Sequence, residues 1–343
     1  MRLLLVAPNW IGDTLLAQPL LARLRTRHPG LRIDAIAPEW TAPVLRRMPE
    51  IDEVIEVPFR HGELALGPRL RLARRMQRRR YGEAIVLPNS FKSALVPFLA
   101  RIPRRVGFRG EARYGLLNVR HRLDESALPL MAERYLQLAE APGRPVERPV
   151  PAARIEVDEA NLLITVSRLG LDRSQPVVAL CPGAEYGPAK RWPARHFAAL
   201  ARALASRNRS VWLVGAPGDR AIGEEIAHLS AGEALNLCGR TDLGAAIDLL
   251  SVAEAVVTND SGLMHVAAAL GRPLVALYGS SSPAHTPPLA PRARIVKLEI
   301  ECSPCFAREC PLGHFRCMNE LSPERVLSEI DAAVAAARAG ERA

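Results

Sequence analysis

Three segments of this 343-residue chain place charged or polar side chains just after a short apolar run, where a strand hands over to a loop. The first, Pro8-Asn9-Trp10-Ile11-Gly12-Asp13, sets a lone carboxylate at the entrance of a stretch with helical apolar spacing. Asp13 suits two jobs there, the cap of a helix start or a general base that takes a proton from a hydroxyl. The second, residues 182–192, carries Lys190 and Arg191 after Gly183, Ala184 and Gly187, so backbone can come close to a ligand. A cation in that place neutralises a diphosphate without a metal; the plain alternative is a solvated lysine. The third, residues 258–270 (TNDSGLMHVAAAL), opens a helix at Asp260, Ser261 and Gly262. A helix start offers free N–H groups and a positive dipole end, which suits a phosphate, although capping by Asp260 or Ser261 uses the same amides. His265 falls one turn later on the Ser261 side, within reach of the same ligand or simply packed.

Strands must hold these loops. Apolar runs at 2–7, 31–37, 53–57, 83–87 and 104–108 alternate with helical spacing from Asp13 to His28 and near 40–48, 66–80 and 90–101. The proline-rich stretch 141–151 interrupts the pattern, which then recurs with strands expected at 177–181, 210–214, 254–258 and 273–277 and helices at 158–169, 193–206 and 323–338. The expected fold is α/β: two Rossmann-like domains, 1–170 and 171–343, with parallel sheets facing a central cleft. Ligands in such sheets sit at the carboxyl ends of the strands, so loops 8–13, 88–92, 182–192 and 259–265 are the places to expect chemistry.

Composition narrows the class. With 48% hydrophobic and 24% charged residues the chain is globular rather than disordered. Pro8 halts the apolar start, and no long uninterrupted apolar run follows, so a cytoplasmic protein without a membrane span is expected. No G-x-G-x-x-G follows a strand, and the P-loop, H-E-x-x-H and G-x-S-x-G patterns are absent. Residues 1–150 hold 26 Lys and Arg against 15 Asp and Glu, whereas the remainder holds 20 against 21. An excess confined to one half implies an anionic partner for that half, either a membrane headgroup surface or an acidic substrate. Nucleic acid is disfavoured, because no recognition module is present and aromatics make up only 5%. Residues 69–80 read as an amphipathic surface helix with Leu66, Leu70, Ala73 and Met76 on one stripe, facing a membrane or plain solvent.

The blocks PNWIGD (8–13), PNSFKSAL (88–95), CPGAEYGPAKRWP (181–193), TNDSGLMHVAAAL (258–270) and ALYGSSSP (276–283) together resemble the lipopolysaccharide heptosyltransferases of glycosyltransferase family 9, with heptosyltransferase II the nearest branch. The resemblance runs to about residue 290. It implies a GT-B fold in which the N-terminal domain binds mainly the acceptor and the C-terminal domain mainly the sugar nucleotide. It implies inverting transfer of L-glycero-D-manno-heptose from ADP-heptose to the first heptose of the Kdo-lipid A inner core, with no metal needed for catalysis. Asp13 aligns with the general base and Lys190 with a catalytic cation. Gly183, Ala184, Lys190, Asp260, Ser261, Gly262 and His265 fall in the donor site, and Asn89, Ser90 and Lys92 on the acceptor side. Anionic Kdo and lipid A groups, with peripheral contact at the cytoplasmic face of the inner membrane, then account for the basic half. The alternatives are a family 9 enzyme with another acceptor, or a nucleotide-sugar binding protein without transfer activity.

One feature lies beyond those blocks. Cys302, Cys305, Cys310 and Cys317, with His314 in the same loop, have the spacing of a structural zinc site or an iron–sulfur cluster; free or redox-paired thiols are the alternative.

Overall fold

The computed structural model describes residues 1–59 and 63–341. The chain forms two compact units, dividing between Ala153 and Arg154. In the first, β1 (Arg2–Val6), α1 (Ile11–Leu16), α2 (Gln18–Arg27), β2 (Arg32–Pro38), α3 (Ala42–Arg46), β3 (Glu53–Val57), α4 (Leu66–Arg78), β4 (Glu83–Val86), α5 (Leu95–Leu99), β5 (Arg104–Phe108), β6 (Val119–His121) and α6 (Met131–Leu136) follow in order. The second runs α7 (Glu159–Leu169), β7 (Val177–Cys181), α8 (Ala194–Ala205), β8 (Ser210–Leu213), α9 (Arg220–Leu229), β9 (Ala234–Asn236), α10 (Leu243–Ser251), β10 (Ala255–Asn259), α11 (Gly262–Ala269), β11 (Leu274–Leu277), β12 (Arg294–Val296), α12 (Arg316–Asn319) and α13 (Pro323–Glu341).

Each unit is built on a six-stranded sheet, ordered β3-β2-β1-β4-β5-β6 and β12-β11-β10-β7-β8-β9. All pairings are parallel, with Leu3 level with both Ile33 and Glu83, and Val256 level with both Ala179 and Leu274. Both orders are the doubly wound Rossmann arrangement, so the expected α/β, Rossmann-like parallel sheet is present in each unit. The central strands β7 and β10 are buried along their whole length, as parallel strands covered on both faces must be. Around them Trp192, Phe197, Leu204, Val326, Ile330 and Val334 close the second core, which explains the apolar stripe on α13. The first core gathers Leu4, Ile36, Ile55, Met76, Tyr81 and Val96.

The structure departs from the sequence reading at four points. The single helix expected from Asp13 to His28 is two, split at Ala17, because Pro19 has no N–H to continue the ladder. The unit boundary lies at Ala153 rather than 170. Helix α7 belongs with the second unit, where Asp248 accepts from the Asp158 N–H at 2.9 Å and from Asn161 Nδ2 at 2.7 Å. Short strands β6, β9 and β12, of three residues each, carry too little pattern to be seen in sequence. Helix α4 buries Arg69, Ala73 and Met76, whereas Leu66 and Leu70 are exposed, so the expected stripe turns inward at Ala73 and Met76 but Arg69 takes the place of the leucines.

Candidate functional site

In a doubly wound sheet the loops diverge where the strand order reverses, here between β1 and β4 and between β7 and β10. Every candidate residue except the cysteines lies on the loops after those four strands or in the first turns of the helices that follow.

In the second unit, Asn259 ties the two loops together. Its Oδ1 accepts from the Trp192 N–H at 3.1 Å, and its Nδ2 donates to the Pro182 carbonyl at 2.8 Å. That clamp brings Lys190 to Asp260, Nζ to Oδ2 at 2.5 Å, with Asp260 buried. Asp260 therefore pairs with a cation rather than capping α11. The cap position belongs to Ser261, whose side chain makes no cap bond and lies 3.2 Å from the Thr258 hydroxyl. The first-turn amides of α11, starting at Gly262, thus have no side-chain cap acceptor, which leaves them suited to an anion. His265 lies buried beneath. Burial pushes its imidazole down to about 4, against the pull of Asp260 and with the help of Lys190, so at neutral pH it adds no second charge.

Gly183 and Ala184 shape the same loop. A Cβ on Gly183 would collide with the Asp219 carboxylate, itself pushed up by burial and held by the Ala216 N–H at 2.9 Å. The Ala184 carbonyl accepts from Arg191 at 3.2 Å, which turns that cation onto its own loop. Sequence reasoning missed Tyr186. Its ring lies between Lys190 Nζ at 5.1 Å and the Arg308 guanidinium at 5.2 Å, and its hydroxyl donates to the Phe306 carbonyl. An aromatic inside a Gly/Pro loop beside a lysine was the available signal. Asn259, inside the 258–270 segment, and Asp219, outside every segment singled out, were likewise passed over.

In the first unit, Asp13 occupies the first turn of α1, whose cap position is Trp10 and carries no side-chain bond. The carboxylate is half-buried and near Tyr135, whose phenol is raised well above its ordinary range by burial and further by the charge of Asp13. After β4, Ser90 and Lys92 line a pocket that Asp13 does not line. Asn89 does something else: its Oδ1 accepts from Arg113 Nη2 at 3.0 Å, helping to hold a fully buried guanidinium.

Cys302, Cys305, Cys310, Cys317 and His314 line one cavity of ≈ 20 Å³ together with Ala189 and Ser280. All four thiols are free. The Phe315 N–H donates to Cys310 Sγ at 3.4 Å, and this and neighbouring amides lower that thiol's pKa, while burial raises that of Cys317. Among the described residues no three His, Cys, Asp or Glu side chains stand close enough to hold an ion, so ligation requires the thiols to close in from where they lie. The loop is not remote from the donor residues. The Ala189 N–H donates to the Arg308 carbonyl at 3.0 Å, and Gly187 packs so tightly on that carbonyl that a Cβ has no room.

Comparison with known proteins bears on the family and the fold. The family model described as glycosyltransferase family 9 (heptosyltransferase) matches residues 69–316. The chain is 45% identical over 341 residues to lipopolysaccharide heptosyltransferase 2 of Escherichia coli (strain K12), covering 97% of this chain and 98% of that protein. It is 44% identical over 339 residues to the protein of the same name from Salmonella typhimurium, covering 96% and 97%. The solved structure of E. coli ADP-heptose LPS heptosyltransferase II superposes with a TM-score of 0.88 at 42% identity, covering 98% of this chain and 100% of that one. A family match over most of its length, relatives at this level along the whole chain, and the shared two-sheet fold have one consequence: the chain belongs to glycosyltransferase family 9, the heptosyltransferases.

Proposed function

We propose that this protein transfers L-glycero-D-manno-heptose from ADP-heptose to the first heptose of the Kdo-lipid A inner core, with inversion at the anomeric carbon. The observation that carries the reading is the Lys190–Asp260 pair beside the uncapped start of α11, in a chain that follows heptosyltransferase 2 along its full length. As the glycosidic bond breaks, negative charge grows on the departing ADP. A preorganised ammonium and helix amides then stabilise the transition state more than the ground state, and no step calls for a metal. Asp13 removes the proton from the acceptor hydroxyl. The assay is incubation with ADP-heptose and heptosyl-Kdo2-lipid A. A product heavier by one heptose with ADP released is expected; no mass change with a folded protein contradicts the reading.

The acceptor is anionic and embedded in lipid, and we place the enzyme at the cytoplasmic face of the inner membrane. Among the described residues no helix is long and apolar enough to cross a membrane. The contact falls to α4, where Arg71, Arg74, Arg75 and Arg78 are exposed beside Leu66 and Leu70. Arg79 is excluded, since it pairs with Glu53 at 2.7 Å and Asp34 at 3.4 Å. Replacing the four exposed arginines with glutamine is expected to raise the apparent KM for acceptor in anionic vesicles and flatten its salt dependence, with ADP affinity unchanged. An unchanged KM reduces the helix to solvated surface.

For the cysteine loop we propose a structural metal, zinc before iron. The donor set suits it, four thiols around one cavity with one already polarised by backbone amides. Metal analysis after reducing, anaerobic purification is expected to give about one equivalent per chain. Chelation should weaken ADP binding, because the loop braces the segment that bears Lys190. Metal-free protein of full activity removes the claim.

A further inference from the structure

A buried arginine normally has its charge answered, and the two in the first unit differ in this respect. Arg113 donates to the carbonyls of Pro88 at 2.7 Å and Phe108 at 2.5 Å and to Asn89 Oδ1, so its terminal nitrogens are held by fixed oxygens while its buried Nε has no partner among the described residues. Arg69 is 6% exposed and, among the described residues, makes one hydrogen bond, from Nε to the Leu64 carbonyl at 2.7 Å. Its flat face rests on the Phe59 ring, 4.1 Å from the centroid. A guanidinium carries five N–H groups, so four remain, all on the two terminal nitrogens, without a partner among the described residues. These four N–H groups still reach solvent, so they are open to a ligand entering the pocket that Arg69 lines.

What could arrive is set by the pocket that Arg69 lines. It lies at the carboxyl ends of β1, β2, β3 and β4 and measures ≈ 60 Å³, room for about four waters or for the charged end of a larger ligand. Asn9, Ser90, Lys92 and Ser93 share its wall, and among the described residues no Asp or Glu lines it. Lys92 is half-buried and forms no ion pair among the described residues. Two cations, several neutral polar groups and no carboxylate make a receptor for an oxyanion. Because Nε is engaged by Leu64, the face left to a ligand is the end-on pair of terminal nitrogens, which matches the two oxygens of a carboxylate.

We propose that Arg69 and Lys92 form a carboxylate-binding subsite in the first unit, with Arg69 the residue that sets acceptor specificity by gripping the acid group of an acidic sugar. This deepens the acceptor reading above and rests on it. Arg69 is a binding residue and takes no part in proton transfer.

The test separates a binding role from a structural one by their opposite effects on stability. Arg69→Met roughly keeps the volume and removes a guanidinium whose terminal nitrogens have no protein partner among the described residues. It is expected to melt at the same temperature as the parent or higher, to raise acceptor KM about 10- to 100-fold, and to change kcat less than twofold. Free Kdo, a sugar carboxylate, should raise the melting temperature of the parent and not of Arg69→Met. Inorganic phosphate at equal ionic strength should do so less. Arg69→Lys, which keeps the charge and loses the fork, should recover part of the KM loss and provides the same readings should the Met variant not fold. A Met variant that is destabilised but binds acceptor normally makes Arg69 structural and overturns the proposal. Phosphate stabilising the parent more than Kdo overturns the carboxylate assignment. Parent turnover in the same assay reports separately on the heptosyltransferase reading.

Discussion

Asp13→Asn is expected to lower kcat by about 10²–10⁴ while ADP affinity and melting temperature stay close to those of the parent. The two halves of this result have different causes. Asparagine has the shape of aspartate but cannot hold a proton taken from a hydroxyl, so the chemistry is lost. Stability survives because Asp13 is not the capping residue of α1; that position is Trp10, and its side chain forms no cap bond. In the first turn its charge also interacts with the helix dipole, worth about 0.3–1 kcal/mol. The nearby Tyr135 phenol, no longer beside a carboxylate, should titrate somewhat lower while remaining raised by burial. A variant that turns over normally assigns proton removal elsewhere. Activity and stability lost together point to a structural carboxylate.

Lys190→Ala should weaken ADP binding about 10- to 100-fold, the value of a lost charge-assisted contact, and slow transfer as well, because the same contact strengthens as the diphosphate leaves. The variant also exposes a complication. Asp260 is buried against Lys190 at 2.5 Å, so removing the lysine strands a carboxylate next to where the diphosphate must lie. Stability should fall too. The paired change Lys190→Met with Asp260→Asn removes both charges, and is expected to recover the melting temperature without recovering ADP affinity. Calorimetry with ADP decides it. Parent-like affinity in either variant removes Lys190 from the donor site.

Much of this site was legible in the sequence because each piece announces itself locally. An apolar run followed by Gly, Pro, Asn or Asp marks a strand end, and the loops bearing Asp13, Lys190 and Asp260 all have that form. The edges of the sheets were not legible, since strands of three residues such as β6 and β12 leave no period to count. Pairing was also invisible. Asp260 read equally well as a cap until Asn259 was seen to draw the two loops together and give it Lys190 as a partner. Arg69 shows the limit most clearly. Helical spacing put Leu66, Leu70, Ala73 and Met76 on one stripe, whereas the fold buries Arg69 with Ala73 and Met76 and leaves both leucines exposed.

The central claim is that this chain moves heptose onto an acceptor that already carries one. The most direct measurement is a side-by-side reaction of ADP-heptose with heptosyl-Kdo2-lipid A and with Kdo2-lipid A, following acceptor mass and ADP release together. The account predicts that heptosyl-Kdo2-lipid A gains one heptose with one ADP released per transfer, and that Kdo2-lipid A is left unmodified. Heptose appearing on Kdo2-lipid A, or ADP released with neither acceptor gaining mass, contradicts it.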